Sequence, residues 1–102
     1  MSQDNAIEAA EAAYKEAKAY TIATRERLAL VLQWIDTAEE TLRRYHHSTG
    51  RRAVAIRAQA YRTIDYHSPR LPKLEAALRE AQDAEAAAGK LLTDLRKQTQ
   101  EV

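Results

Sequence analysis

Two short histidine-containing segments are the residues best suited to catalysis or metal binding in this chain. They read Tyr45-His46-His47-Ser48 and Tyr66-His67-Ser68, and imidazole serves proteins as a general base and as a metal ligand. Both uses require the imidazoles of the two segments to lie close together. We expect about 17 residues of helix, roughly 25 Å, between the segments. A histidine in the last turn of a helix instead interacts favourably with the helix dipole. We therefore expect these histidines to occupy helix ends and to form no site.

The other residue types leave little room for catalysis. The chain has no Cys and only two glycines, which excludes thiolate chemistry and a glycine-rich phosphate loop. The three serines, Ser2, Ser48 and Ser68, fall at the N-terminus or at expected helix breaks, and Glu39-Glu40 falls in a solvated stretch where no burial would raise a carboxyl pKa. The sequence therefore predicts no enzyme, no cofactor and no metal ion.

Charge is distributed unevenly along the chain. The overall balance is 16 Lys and Arg against 15 Asp and Glu. Residues 1–42 carry a net charge of −4, residues 43–70 carry +6, and residues 71–102 carry −1. Every base in the central segment is an arginine, whose planar guanidinium binds carboxylate or phosphate through two parallel hydrogen bonds.

The arginine-rich segment predicts a binding surface, with tyrosines interleaved. The expected contact residues are Arg43, Arg44, Tyr45, Arg51, Arg52, Arg57, Tyr61 and Arg62. We expect a small helical adaptor, inhibitor or assembly factor whose basic end engages an acidic protein surface. Nucleic-acid binding through the same arginines is one alternative. A purely structural coiled coil, in which this end is only solvated, is the other.

One long helix is expected to lead into this segment. Steps of three and four residues from Ile7 pass through apolar or small side chains as far as Tyr45, and no Gly or Pro interrupts the stretch. The seam comprises Ile7, Ala10, Tyr14, Ala17, Thr21, Thr24, Leu28, Val31, Ile35, Ala38, Leu42 and Tyr45. The sequence therefore predicts a helix over about residues 4–46.

Two further helices are expected after a turn at residues 47–50. The second covers about residues 51–67, with Val54, Ala58, Tyr61 and either Ile64 or Asp65 on its seam. A kink at residues 68–72 follows, because Pro69 lacks an amide donor and biases Ser68 away from helical geometry. The third covers about residues 72–98. Its apolar positions are Leu74, Leu78, Ala81, Ala88, Leu92 and Leu95.

The predicted fold is therefore a single all-α domain, a long antiparallel hairpin with a proline-kinked return arm. Folding the chain back once brings residue i near residue 96 − i, so the alanines of residues 6–23 face those of residues 76–88. Small residues on both sides allow close helix packing. A closed three-helix bundle is the alternative.

The segment from Leu28 to Ile35 is apolar on too many sides for a two-helix contact. Something further must cover Leu30, Leu32 or Trp34: a second copy of the chain, the third helix in the bundle alternative, or a partner protein. A second copy is the simplest cover. We expect these three residues to form a dimer or partner seam, and the dimer to be a helical bundle. With no membrane-spanning or leader-like segment, we expect a cytoplasmic protein, while export without a leader stays open.

Overall fold

A computed structural model describes residues 2–100, and that part of the chain is helical almost throughout. Helix α1 spans Ser2–Arg44, α2 spans Arg51–His67 and α3 spans Leu71–Gln100, with a single 3₁₀ turn at Ser68–Arg70. Between residues 2 and 100 there is no strand. The predicted all-α class is confirmed.

The proline segment does not separate two helices as we expected. Ser68 and Leu71 both have α-helical backbone angles, and their N–H groups bond to the carbonyls of Ile64 and Ser68 respectively. Pro69 lies in the first positions of the 3₁₀ turn, where proline is well tolerated. Residues 51–100 therefore form one long bent helix, and three separate helices are not confirmed.

The chain divides into two compact units. The first, here called the terminal unit, combines residues up to Arg25 with residues from Ala76 onward. The second, here called the turn unit, is Glu26–Glu75. Helix α1 contributes to both, as does α3.

Small residues form the contacts of the terminal unit. The hydroxyl of Thr21, which is 2% exposed, lies 3.0 Å from the carbonyl oxygen of Ala17 and 3.1 Å from that of Ala81 on α3. The ring of Tyr14 lies against the backbone of Gly89. Thr21 thus meets Ala81, where the 96 − i register placed residue 75, and the details of the predicted hairpin are not confirmed.

In the turn unit, Val31, Ile35 and Ala38 on α1 are buried, as are Ala53 and Ala60 on α2. The register is again shifted, since Arg57 bonds to the carbonyls of Tyr45 and Ser48, where the 96 − i register placed residue 39. The ring of Trp34 contacts that of His67. The 96 − i register had placed residue 62 opposite Trp34.

The α1 seam is confirmed at every position, since each of its members is buried or half-buried. The seam predicted for α2 is wrong at Val54 and Tyr61, although its other positions Ala58 and Ile64 are half-buried. Val54 and Tyr61 are each 56% exposed, and the smaller Ala53 and Ala60 are buried in their place.

The buried and half-buried residues of α2 form a stripe that continues in steps of three and four through the 3₁₀ turn into α3. Its buried and half-buried members are Ala53, Arg57, Ala60, Ile64, His67, Leu71, Leu74, Leu78, Ala81, Glu85, Ala88, Leu92 and Leu95.

Candidate interaction surfaces

The turn between α1 and α2 is held by an arginine. Arg57 Nη1 donates to the backbone carbonyl oxygens of Tyr45 at 2.6 Å and of Ser48 at 2.7 Å. These carbonyls follow the C-terminus of α1, where the helix leaves acceptors without partners and the dipole favours a cation. Arg57, expected as a partner contact, is half-buried and engaged within the chain.

Basic residues end α1. Arg43 Nη2 lies 2.6 Å from Glu40 Oε2, with Nε of the same guanidinium at 3.2 Å. The hydrogen bonds from Arg43 and its charge lower the pKa of Glu40 below its ordinary value, and the same contact raises the pKa of Arg43. Both side chains are exposed, so solvent screens the pair.

Basic residues also begin α2, where the dipole disfavours them. Arg51 and Arg52 occupy its first turn, which contains no acidic residue. Gly50, the N-cap residue with φ of 102°, offers no side chain to the first amides. Arg44, Arg51 and Arg52 are exposed and form no hydrogen bond or ion pair with another residue of the described range 2–100. The start of α2 therefore presents two guanidinium groups and the first amides of a helix, with no acidic side chain of residues 2–100 bonded to Arg51 or Arg52.

The remaining expected contact residues differ in exposure and in their contacts. Tyr45 is half-buried and Tyr61 is 56% exposed. Arg62 is exposed and donates to the side-chain oxygen of Gln59 at 2.8 Å, one turn earlier on α2. Along a helix, Tyr61 lies about 100° from Arg62 and about 160° from Gln59. The expected contact residues thus do not all face one way.

Trp34 lies at the edge of an aromatic cluster that is centred on His67. Its ring centroid is 4.9 Å from that of His67, which in turn contacts Tyr66 edge-on at 4.9 Å. The guanidinium carbon of Arg70 is 5.3 Å from the Tyr66 centroid, within cation–π range. Trp34 is nevertheless 43% exposed, so the cluster leaves part of the indole in solvent.

A groove runs between α1 and α2 from this cluster. Its volume is about 360 Å³. The residues that line it are Trp34, Thr37, Ala38, Thr41, Ile56, Gln59, Ala60 and Thr63. None of these eight carries a formal charge. Trp34 and Thr63 also line a second cleft, which includes Tyr66, His67 and Arg70.

The three residues expected to share one seam lie on different sides of α1. Leu30, Leu32 and Trp34 are each between 43% and 46% exposed. Residues four apart on a helix differ by about 40°, so Leu30 and Trp34 share a face, whereas Leu32 lies about 160° from both. Exposure was anticipated correctly, but one surface does not contain all three.

Sequence reasoning missed the groove. The signal was present in the spacing of Trp34, Thr37 and Thr41, which are three and four residues apart. On α2, the same spacing relates Ile56, Gln59 and Thr63. A threonine stripe beside an apolar seam has no hydropathy peak, so counting apolar residues did not reveal it.

No metal centre is apparent in the part of the chain that the structure describes. His46 and His47 contact each other with ring centroids 4.5 Å apart, and His67 belongs to the Trp34 cluster. No group of three or more His, Asp or Glu side chains within residues 2–100 is arranged to hold an ion. Over the same range, no helix has both the length and the apolar content of a membrane span.

A comparison of the chain with protein-family models, curated proteins and solved structures finds no match.

Proposed function

We propose that this protein is a non-enzymatic interaction module whose arginine-rich turn end binds an acidic surface on a partner protein. In this proposal, the two units belong to one long helical hairpin, and the protein acts as a homodimer in the cytoplasm. The binding end consists of Arg43, Arg44, Arg51 and Arg52, which flank the turn.

The observation that supports this proposal most strongly is the first turn of α2. Two arginines there face the positive end of the helix dipole, next to a glycine cap that has no side chain to accept from the first amides. Like charges at a helix N-terminus destabilise it by about 0.3–1 kcal/mol each. A carboxylate-bearing partner would relieve this repulsion and also accept hydrogen bonds from the first amides.

Helix α1 makes the same end basic from the other side. Arg43 and Arg44 are its last two residues, and only Arg43 has an acidic neighbour within hydrogen-bond distance, Glu40. Arg57 strengthens the argument indirectly. Because its guanidinium holds the carbonyls of Tyr45 and Ser48, it fixes the turn and thereby the spacing between the two arginine pairs. A preformed charged end loses less entropy on binding than a mobile one.

The experiment is retention of partners from the cell of origin on immobilised protein, followed by mass spectrometry. We expect the wild-type chain to retain an acidic protein at low salt and to release it as salt rises. The double variant Arg51→Glu with Arg52→Glu should lose it. The matched control, Lys15→Glu with Lys18→Glu, makes the same charge change at exposed positions of the terminal unit and should retain it.

Two outcomes would contradict this function. Equal retention by the wild-type chain and the Arg51/Arg52 variant would show that the turn end does not bind the partner. A steeply salt-dependent mobility shift with DNA or RNA, lost in that variant, would assign the same arginines to nucleic acid instead.

A further inference from the structure

The groove on the turn unit is uncharged, although the chain around it is not. Charged residues make up 30% of the sequence, yet all eight residues that line the groove are neutral. Its polar lining consists of three threonines and Gln59, whose side chains are compatible with close protein packing. Protein interfaces are depleted of charge at their cores and enriched in aromatic residues. The composition of this face is that of a surface covered by protein.

The same face provides both a projection and a recess. Trp34 lies at one end of the groove with 43% of its surface exposed, and it is the only tryptophan in the chain. The floor of the groove includes Ala38 and Ala60, which are 6% and 5% exposed. A volume of about 360 Å³ falls within the range of roughly 300–1,000 Å³ typical of pockets that accept a small organic molecule. An indole ring therefore has room to enter.

We propose that this groove is the homodimer face, occupied by the same groove of a second copy of the chain. A two-fold dimer requires a surface that is complementary to itself. Here Trp34 of each copy enters the groove of the other. Face-to-face pairing brings no like charges together inside the groove, whereas pairing through the turn end would oppose arginines. This inference rests on the homodimer of the proposed function. It places the dimer interface at the groove, so that Leu32 lies outside the interface.

The test introduces charge into the groove without harming the helices. Thr37 is exposed and Thr63 is half-buried, and lysine has a higher helix propensity than threonine. We expect the wild-type chain to sediment at micromolar concentration with twice its chain mass of 11.5 kDa. The variant Thr37→Lys with Thr63→Lys should sediment with one chain mass and retain its helical circular dichroism.

Trp34 fluorescence supplies a second measurement. In the wild-type chain, the emission maximum should move to shorter wavelength as concentration rises, because dimerisation buries the indole. In the Thr37/Thr63 variant it should stay at long wavelength. The control Leu32→Lys introduces the same charge on the other side of α1 and should remain a dimer.

The outcomes separate this face from the rest of the proposal. A dimer that persists in the Thr37/Thr63 variant, or one that Leu32→Lys dissociates, overturns the groove as the dimer face and leaves dimerisation itself standing. A wild-type chain that sediments as a monomer at every concentration overturns both. Partner retention by the turn end is measured separately and does not depend on either result.

Discussion

Arg57 donates hydrogen bonds to the backbone carbonyl oxygens of Tyr45 and Ser48, and so ties α2 to the end of α1. A hydrogen bond from a charged group contributes about 1.5–3 kcal/mol to stability. We expect a smaller contribution here, because one of the two acceptors is exposed. We expect Arg57→Ala to lower the free energy of unfolding by about 1–2 kcal/mol, measured by urea titration at fixed protein concentration. Arg62→Ala, which breaks only a contact with Gln59 on the surface, should change it by less than about 0.5 kcal/mol. Equal effects would show that Arg57 does not hold the turn.

Arg51 and Arg52 should destabilise the helix that they begin. Arg51→Glu with Arg52→Glu places acidic groups at the N-terminus of α2, and we expect a gain of about 0.5–2 kcal/mol in the free energy of unfolding at low salt. The same reversal at Arg43 and Arg44, at the C-terminus of α1, should lower it. Thermal unfolding at two salt concentrations measures both, and both differences should shrink as salt rises. A loss of stability from the Arg51/Arg52 reversal would mean that these arginines stabilise the fold.

Thr21 should contribute more than a surface threonine, because its hydroxyl reaches a second helix. Thr21→Val keeps the shape but removes the bond to the Ala81 carbonyl, and we expect a loss of about 1 kcal/mol. Thr93→Val is the matched control, since the Thr93 hydroxyl bonds only to Gly89 within its own helix. Urea titration of both variants gives the comparison. Similar values for the two would show that the bond between the helices contributes nothing.

Tyr14 should determine how well Gly89 can be replaced. Alanine is favoured over glycine in a helix by about 1 kcal/mol, but a Cβ at position 89 would lie 3.1 Å from Cε1 of Tyr14. We expect Gly89→Ala to stabilise the Tyr14→Ala chain by the full amount and the wild-type chain by less. A double-mutant cycle measures the coupling between the two residues. Coupling below about 0.3 kcal/mol would contradict the close contact.

The helices were predictable because their periodicity is long and uninterrupted. In α1, every residue on the predicted seam is buried or half-buried, and the apolar positions predicted for α3 are equally correct. The error in α2 came from weighting size. Val54 and Tyr61 are larger apolar residues than Ala53 and Ala60, and they drew the predicted seam one residue away from the buried alanines.

Continuity would have corrected this error. Extending the α3 stripe backwards from Leu74 in steps of three and four arrives at His67, Ala60 and Ala53. The two prolines argued against such an extension, since each is expected to interrupt a helix. Pro69 lies in the single 3₁₀ turn and Pro72 in the first turn of α3, and sequence alone does not distinguish that outcome from a break. The roles of Arg57 and of the groove depend on contacts between helices, which no local pattern encodes.

The 3₁₀ turn at Ser68–Arg70 also determines how the chain can change in length. The buried and half-buried residues keep their spacing of three and four through this turn, from α2 into α3. Deleting one residue between His67 and Leu71 would rotate every later side chain by about 100°, bringing Ala81 and Leu92 out of their contacts. Inserting seven residues would restore the rotation but would shift the following residues by about 10 Å along the helix axis. The segment is therefore a fixed-length spacer, which tolerates substitution more readily than a gain or loss of single residues.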